Sequence, residues 1–386
     1  MKLPIWLKRI SVKKIKNKKI PIYAPIFIGN ERKYLNACLD QEWVSSKGEF
    51  VALLEQEIAK YCKVKYAVAC SSGTAALFLA LKSLGIGPGD EVIVPSFTMI
   101  ASAFAVSYTG ATPVFADCDL DTANLSISSL EPLITKRTKA VMPVHIYGNP
   151  CDMDSLQKIA DAQKIFLVED AAEAFGSEYK GKRIGSISNL TGFSFYVNKT
   201  ITTGEGGMVT TNSKRLYKIL KNINNYSFSQ RRHFWHSRLG YNLRMSNLEA
   251  AVGLGQIEYC EEILDRKRKI AQTYHELLKD FSEYILPLKI LPFNKSNYWM
   301  IAYRLQNEKD NVEKLREELS RKGIETRSFF IPLHLQPAYK HLKSKIKFSN
   351  SEKLSSTGIL LPSGPGLRVF EIENICELIK KFFRGH

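Results

Sequence analysis

The chain has 386 residues, 45% of them hydrophobic and 11% aromatic, with a formal net charge of +17. That is too long for one small core and fits a soluble globular protein with a large and a smaller domain. No apolar run is long enough to span a bilayer and no secretory leader pattern is present. The seven cysteines (38, 62, 70, 118, 151, 260 and 376) form no CxxC pair, so the sequence predicts reduced thiols, a cytoplasmic protein and no metal site.

The charge is uneven. Residues 1–20 hold eight Lys and Arg and no acid, with Leu3, Ile5, Trp6, Leu7, Ile10, Val12 and Ile15 interleaved. Such a stretch can lie on an anionic membrane surface, but a solvated tail is the preferred reading. The basic residues of the body are dispersed and no nucleic-acid motif occurs, so no nucleic-acid partner is expected.

After this tail, residues 21–25 read as an extended lead-in. Helical spacing covers 29–39, Trp43 to Gly48 is a turn, and Phe50 to Tyr61 is amphipathic, with Val51, Leu54, Ile58 and Tyr61 on one face. A strand at Tyr66–Cys70 is followed by Ser71-Ser72-Gly73-Thr74 and a helix over 75–84. Strand, small polar loop and helix aim backbone N–H groups at an anion, although an ordinary N-cap uses the same residues. Gly85 to Asp90 is rich in glycine, but it follows a helix and reads as a helix stop, not a nucleotide loop.

Strands and helices then alternate. Strands are predicted over 91–95, 113–116, 140–143 and 166–170, and helices over 98–108, 127–134 and 153–163. This rhythm predicts an α/β fold with a mainly parallel sheet and helices on both faces. Ligands of such sheets sit beyond the carboxyl ends of the strands, where Gly73, Thr74 and Asp170 fall. Asp170 ends an apolar strand among small neighbours. It could pair with a protonated ring nitrogen or simply cap a helix.

Residues 191–208 carry Ser194 on a strand-like run, then the single lysine Lys199, then Gly204, Gly206 and Gly207. Lys199 reads either as a solvated turn residue or as a reactive amine, which burial and cationic neighbours would deprotonate. Farther on, 259–284 reads as one long helical region. Strands are predicted over 298–305 and 324–329, and helices over 311–322 and 369–383. The domain boundaries expected are a tail 1–20, a large domain 21–260 and a small domain 261–386.

Six segments in this order resemble one family. They are Ser71 to Leu77, Gly89 to Pro95, Gly110 to Phe115, Val168 to Glu173, Phe193 to Gly207, and Gly240 to Met245. The pattern is similar to that of the fold-type-I pyridoxal-phosphate aminotransferases of the DegT/DnrJ/EryC1/StrS family, which act on nucleotide-linked keto sugars. The motifs His145 to Asp154, Asp170 to Ala174, and Arg231 to His236 look most like the branch that aminates GDP-4-keto-6-deoxymannose at C4 with L-glutamate. A UDP- or dTDP-linked sugar is the alternative.

The resemblance implies pyridoxal 5′-phosphate as cofactor. Lys199 would form the Schiff base and shuttle the proton, and Asp170 would hold the ring nitrogen protonated. Glu173 would lie near the ring hydroxyl, while Gly73, Thr74 and Ser194 bind the phosphate. Asn242 would reach that phosphate from a neighbouring subunit, which implies a homodimer with shared sites. Met99 stands where the family often has an aromatic ring over the cofactor, and Phe97 is a nearby rival for that place. His236 and His334 are candidates for substrate contact, or structural histidines. Arg232 and Arg244 are candidates for the glutamate carboxylates. Two rival readings are a sugar dehydratase of the same fold, whose members replace the lysine, and a non-catalytic sugar-nucleotide-binding protein.

Overall fold

A computed structural model of the chain describes residues 19–385 apart from 230, 233, 237 and 308–310. Apart from its last two residues, the basic tail lies outside the described residues, and with it the expectation of membrane contact. No helix among the described residues is long and apolar enough to cross a membrane.

Seven strands build the main sheet: β1 (Tyr66–Cys70), β2 (Glu91–Pro95), β3 (Thr112–Ala116), β4 (Thr138–Val141), β5 (Phe166–Asp170), β6 (Leu190–Ser194) and β7 (Gly207–Thr211). Their spatial order is β1-β7-β6-β5-β4-β2-β3. The pairs from β6 through β3 are parallel, and β7 runs antiparallel to both β6 and β1.

The strands are buried along nearly their whole length because both faces are covered. Side chains alternate across the pleat. Ile93, Val141, Leu167 and Phe193 pack on one face with the helices Glu49–Cys62 and Met153–Gln163. Val92, Ala140, Val168 and Leu190 pack on the other with Gly73–Ser83, Ala101–Tyr108 and Lys214–Ile223.

A second, four-stranded antiparallel sheet comprises Ile285–Pro287, Ile301–Leu305, Gly358–Leu361 and Arg327–Ser328. Its core joins Tyr303 and Ile359 to the helices Cys260–Leu278, Val312–Arg321 and Val369–Arg384. The chain enters through Ile20, which bridges Ile324, and Tyr23 donates its hydroxyl to the Lys199 carbonyl at 2.8 Å.

Several elements differ from expectation. The helical region predicted over 259–284 ends at Leu278 and a 3-10 turn, 279–281. A helix not predicted, Asn247–Glu258, abuts it at Tyr259 and begins with a capping box between Ser246 and Glu249. Lys214–Ile223 was also missed, although Leu216, Leu220 and Ile223 repeat at helical spacing. The strand predicted from 298 starts only at Ile301, because Tyr298 takes a left-handed conformation at φ 49°. The strand predicted over 324–329 shortens to Arg327–Ser328. Ser349–Thr357 and Gly358–Leu361 carry no clear periodicity, and contacts distant in sequence place them.

Candidate active site

The carboxyl ends of β1, β5 and β6 meet at one edge of the main sheet. The register pairs Gly207, the first residue of β7, with both Cys70 and Ser194, the last residues of β1 and β6. That pairing brings Ser71–Thr74 beside Ser194. A Cβ on Gly207 would lie 2.2 Å from the Ser72 carbonyl oxygen, and one on Gly73 would lie 2.6 Å from the Ser194 Cβ. Gly207→Ala therefore pits side chain against backbone, and the loop 71–74 has to move. We expect a loss of roughly 1–3 kcal/mol of stability, read as a lower denaturation midpoint, together with weaker cofactor retention.

These strand ends border a cavity of about 440 Å³. Gly73, Thr74, Met99, Asp170, Glu173, Ser194 and Lys199 line it beside Ser72, so seven of the ten residues expected to bind cofactor or to contact substrate as histidines come together. Gly73 opens a helix of eleven residues, whose first N–H groups face this end. The Ser72 hydroxyl accepts from Ala75 N at 3.1 Å and so caps that helix from within.

Asp170 is buried. Its Oδ2 accepts from the Ser102 hydroxyl at 2.7 Å and its Oδ1 from Ala172 N at 3.1 Å. Burial nevertheless raises its carboxyl above the usual range. Glu173 is buried as well, with Oε2 accepting from Tyr147 N at 2.7 Å. Burial pushes the Glu173 carboxyl up to about 7, against the pull of Lys199. The opposite shift affects Lys199. Its Nζ lies 3.9 Å from the centre of the Trp299 ring, and burial depresses its ammonium, opposed by Glu173 and Asp170. An amine against an indole face with two carboxylates nearby can be either a proton donor or a nucleophile.

Trp299 was not identified from the sequence. Its indole N–H donates to the Asn198 carbonyl at 2.6 Å, and Asn297 holds its backbone N–H at 2.9 Å. Tyr196, Asn198, Glu205, Arg327 and Phe330 complete the wall and were likewise missed. No local pattern marks them, because the second sheet and the loops above β6 bring them in.

Phe97 is fully buried against Tyr147, Phe329 and Phe330 and is absent from the cavity wall, whereas Met99 lines the cavity and is 51% exposed. Of these two, Met99 alone can reach a group bound there.

Three predicted residues lie elsewhere. His334 has both ring nitrogens engaged, with the Ser96 hydroxyl at 2.7 Å and Glu352 at 3.2 Å, and it stacks on Phe348. It borders a separate cavity with Arg137 and Lys343. His236 is exposed, with Nδ1 2.7 Å from the Tyr226 carbonyl. Asn242 is exposed beside Leu243, whose carbonyl accepts from Ser71 N at 2.7 Å. Neither borders the cavity within one chain.

The cavity fits pyridoxal phosphate. Gly73 and the helix start leave backbone N–H groups for a phosphate, and the Ser194 side chain lies directly beside Gly73. The buried Asp170 carboxylate can face a ring nitrogen. Lys199 supplies an amine, and the Asn198 Oδ1 is buried without a partner on the same wall.

Comparison with known proteins agrees. Residues 26–380 match the DegT/DnrJ/EryC1/StrS aminotransferase family. The chain is 44% identical over 366 residues to GDP-perosamine synthase of Escherichia coli O157:H7, covering 95% of this chain and 99% of the relative. It is 42% identical over 370 residues to GDP-perosamine synthase of Vibrio cholerae, covering 94% and 99%. Among solved structures, Spr1654 from Streptococcus pneumoniae, assigned as a sugar aminotransferase and solved in its PLP form, superposes with a TM-score of 0.88. It is 29% identical over 95% of this chain and 99% of that one. The chain belongs to the DegT/DnrJ/EryC1/StrS aminotransferase family and is a pyridoxal-phosphate-dependent sugar aminotransferase.

Proposed function

We propose that the enzyme moves the amino group of L-glutamate to C4 of a nucleotide-linked 4-keto-6-deoxy sugar, with GDP-4-keto-6-deoxymannose as acceptor and GDP-perosamine as product. The observation that carries this reading is identity of 44% across 99% of a GDP-perosamine synthase. Mass spectrometry of reactions with L-glutamate and GDP-, UDP- or dTDP-linked keto sugars tests it. The amino sugar is expected from the GDP substrate, and turnover of only a UDP- or dTDP-linked sugar would overturn that nucleotide while leaving the reaction class intact.

When bound, pyridoxal phosphate supplies an aldehyde that takes up an amino group and a ring that draws electrons from the donor's α-carbon. In this reading the Gly73 and Thr74 N–H groups and the Ser194 hydroxyl hold the phosphate. Asp170 keeps the ring nitrogen protonated. Lys199 is the attachment point and carries a proton between the donor's α-carbon and the aldehyde carbon, a task suited to an amine whose ammonium burial has weakened. The Met99 thioether packs against the ring, and Glu173 faces the ring hydroxyl.

Asn242 is assigned to the phosphate of a second copy, which makes the enzyme a homodimer, and His236 on the same segment to its sugar nucleotide. Their exposure in the single chain supports this, as do the exposed Leu39 and Leu53 on the helices Glu31–Asp40 and Glu49–Cys62 and the exposed Trp43 between them. Residues 21–260 and 261–386 are taken as the large and small domains. A cytoplasmic site of action is supported by seven cysteines that are all buried and unpaired.

Glu173 supplies a test by pH. A carboxyl raised in the folded state holds its proton longer than in the unfolded chain, so folding takes up protons between about 4.5 and 7. Stability from this group is therefore present below that window and is lost as pH rises through it. Glu173→Gln removes the dependence. Relative to wild type, the cofactor-free variant is expected to gain about 2–4 °C in Tm at pH 8 over its position at pH 5, measured by thermal denaturation at both pH values.

A further inference from the structure

We propose that Arg327 holds a carboxylate of the amino donor and thereby selects a dicarboxylic amino acid; the inference rests on the transaminase reading above. Among the described residues the cavity wall carries five charged side chains: Asp170, Glu173, Glu205, Lys199 and Arg327. An anionic donor entering this space meets three carboxylates. Of the two cations, Lys199 is committed to the cofactor and to proton transfer. Arg327 is the remaining positive charge that this chain places in the wall.

Its setting leaves it free for a ligand. Arg327 lies on the edge strand of the second sheet, opposite Leu360, so the backbone that carries it is fixed by pairing. Its Nη2 is 3.5 Å from Glu325 Oε1, and both side chains are about half exposed. A pair this long and this wet is weak and readily exchanged. Glu325 is held separately, because its Oε2 accepts from Ile22 N at 3.1 Å. The guanidinium is thus steered but not consumed, and its planar fork matches a carboxylate in two parallel hydrogen bonds.

The other arginines considered from the sequence are engaged elsewhere. Arg244 donates to Ser46 at 3.0 Å and to Asn225 at 2.6 Å, and Arg232 lies over the Trp235 ring. The other anion of the reaction is the sugar nucleotide's diphosphate, and the titration below separates it from a donor carboxylate.

The test is calorimetric titration of the full-length, PLP-loaded protein with glutarate, a dicarboxylate that cannot react, and separately with GDP. Arg327→Gln is expected to weaken glutarate binding at least tenfold and GDP binding less than twofold. Arg327→Lys keeps the charge without the fork and is expected to fall between. In stopped-flow half-reactions, the rate constant per molar L-glutamate should drop by a similar factor in Arg327→Gln. Unchanged glutarate affinity in both variants overturns the proposal. So does a loss confined to GDP, which would assign the arginine to the diphosphate. A wild type that shows no spectral response to L-glutamate instead defeats the transaminase reading, a result distinct from a responsive wild type with an indifferent Arg327→Gln.

Discussion

Lys199→Ala is expected to lower the rate of amino transfer by at least about 10⁴-fold, because it removes both the attachment point and the proton carrier. The fold is expected to survive, since Lys199 is held through its backbone, from Tyr196 and to Tyr23, and its ammonium only rests on Trp299. The measurement is 2-oxoglutarate formation from L-glutamate, with the visible spectrum of the PLP-loaded protein recorded beside it. Wild type should show a cofactor band that changes on adding L-glutamate, and the variant should not complete that change. Lys199→Arg should fare no better, because a guanidinium stays protonated and can neither attack a carbonyl nor accept a proton near neutral pH. A variant with more than about 1% of the wild-type rate would exclude Lys199 as the proton carrier, against the general acid–base contribution expected of such a group.

Asp170→Asn is expected to cost roughly 10²–10³-fold in turnover. The amide keeps the carboxylate's shape and can still meet Ser102 and the Ala172 N–H, so the loss reports charge and not collapse. Without a fixed negative charge the ring nitrogen sheds its proton more readily, and the ring draws electrons less strongly. The same substitution has a second readout. Burial raises the Asp170 carboxyl in the cofactor-free protein. Its ionised form therefore opposes folding above the ordinary carboxylate range, and the stability it contributes in acid is lost as pH rises through the raised value. Cofactor-free Asp170→Asn should then melt higher than wild type at pH 8, with the gain shrinking toward pH 4, while its turnover stays low at both. Full activity in this variant would remove Asp170 from the cofactor's ring.

Much of the fold was legible in the sequence because each strand of the main sheet is a short apolar run between turn residues. Tyr66–Cys70, Glu91–Pro95 and Phe166–Asp170 match the structure to the residue. Lys214–Ile223 and Asn247–Glu258 were readable too, from apolar spacing and from the Ser246–Glu249 capping box, and were overlooked. The two-residue strand at Arg327 was not readable. Its length is set by partners in Gly358–Leu361, thirty residues on, and no local period announces such a pairing.

The site divides in the same way. By itself the sequence determined the groups whose role depends on residue type at a strand end. Gly73, Thr74, Asp170 and Lys199 stand at or beyond the ends of apolar strands that must run side by side, so whatever those ends carry converges, and the family resemblance added Glu173 and Ser194. Tertiary structure alone decided the opposite wall. Arg327 lies in the second sheet and Trp299 and Phe330 flank its strands, and the docking of that sheet against the first depends on packing between surfaces far apart in the chain. It also decided which of two neighbours faces the cavity, burying Phe97 and presenting Met99, and it withdrew His334 into contacts with Ser96 and Glu352. A sequence shows which side chains are available for chemistry, but their exposure, the partners already bound to them and the ring an amine rests on arise only when distant surfaces meet.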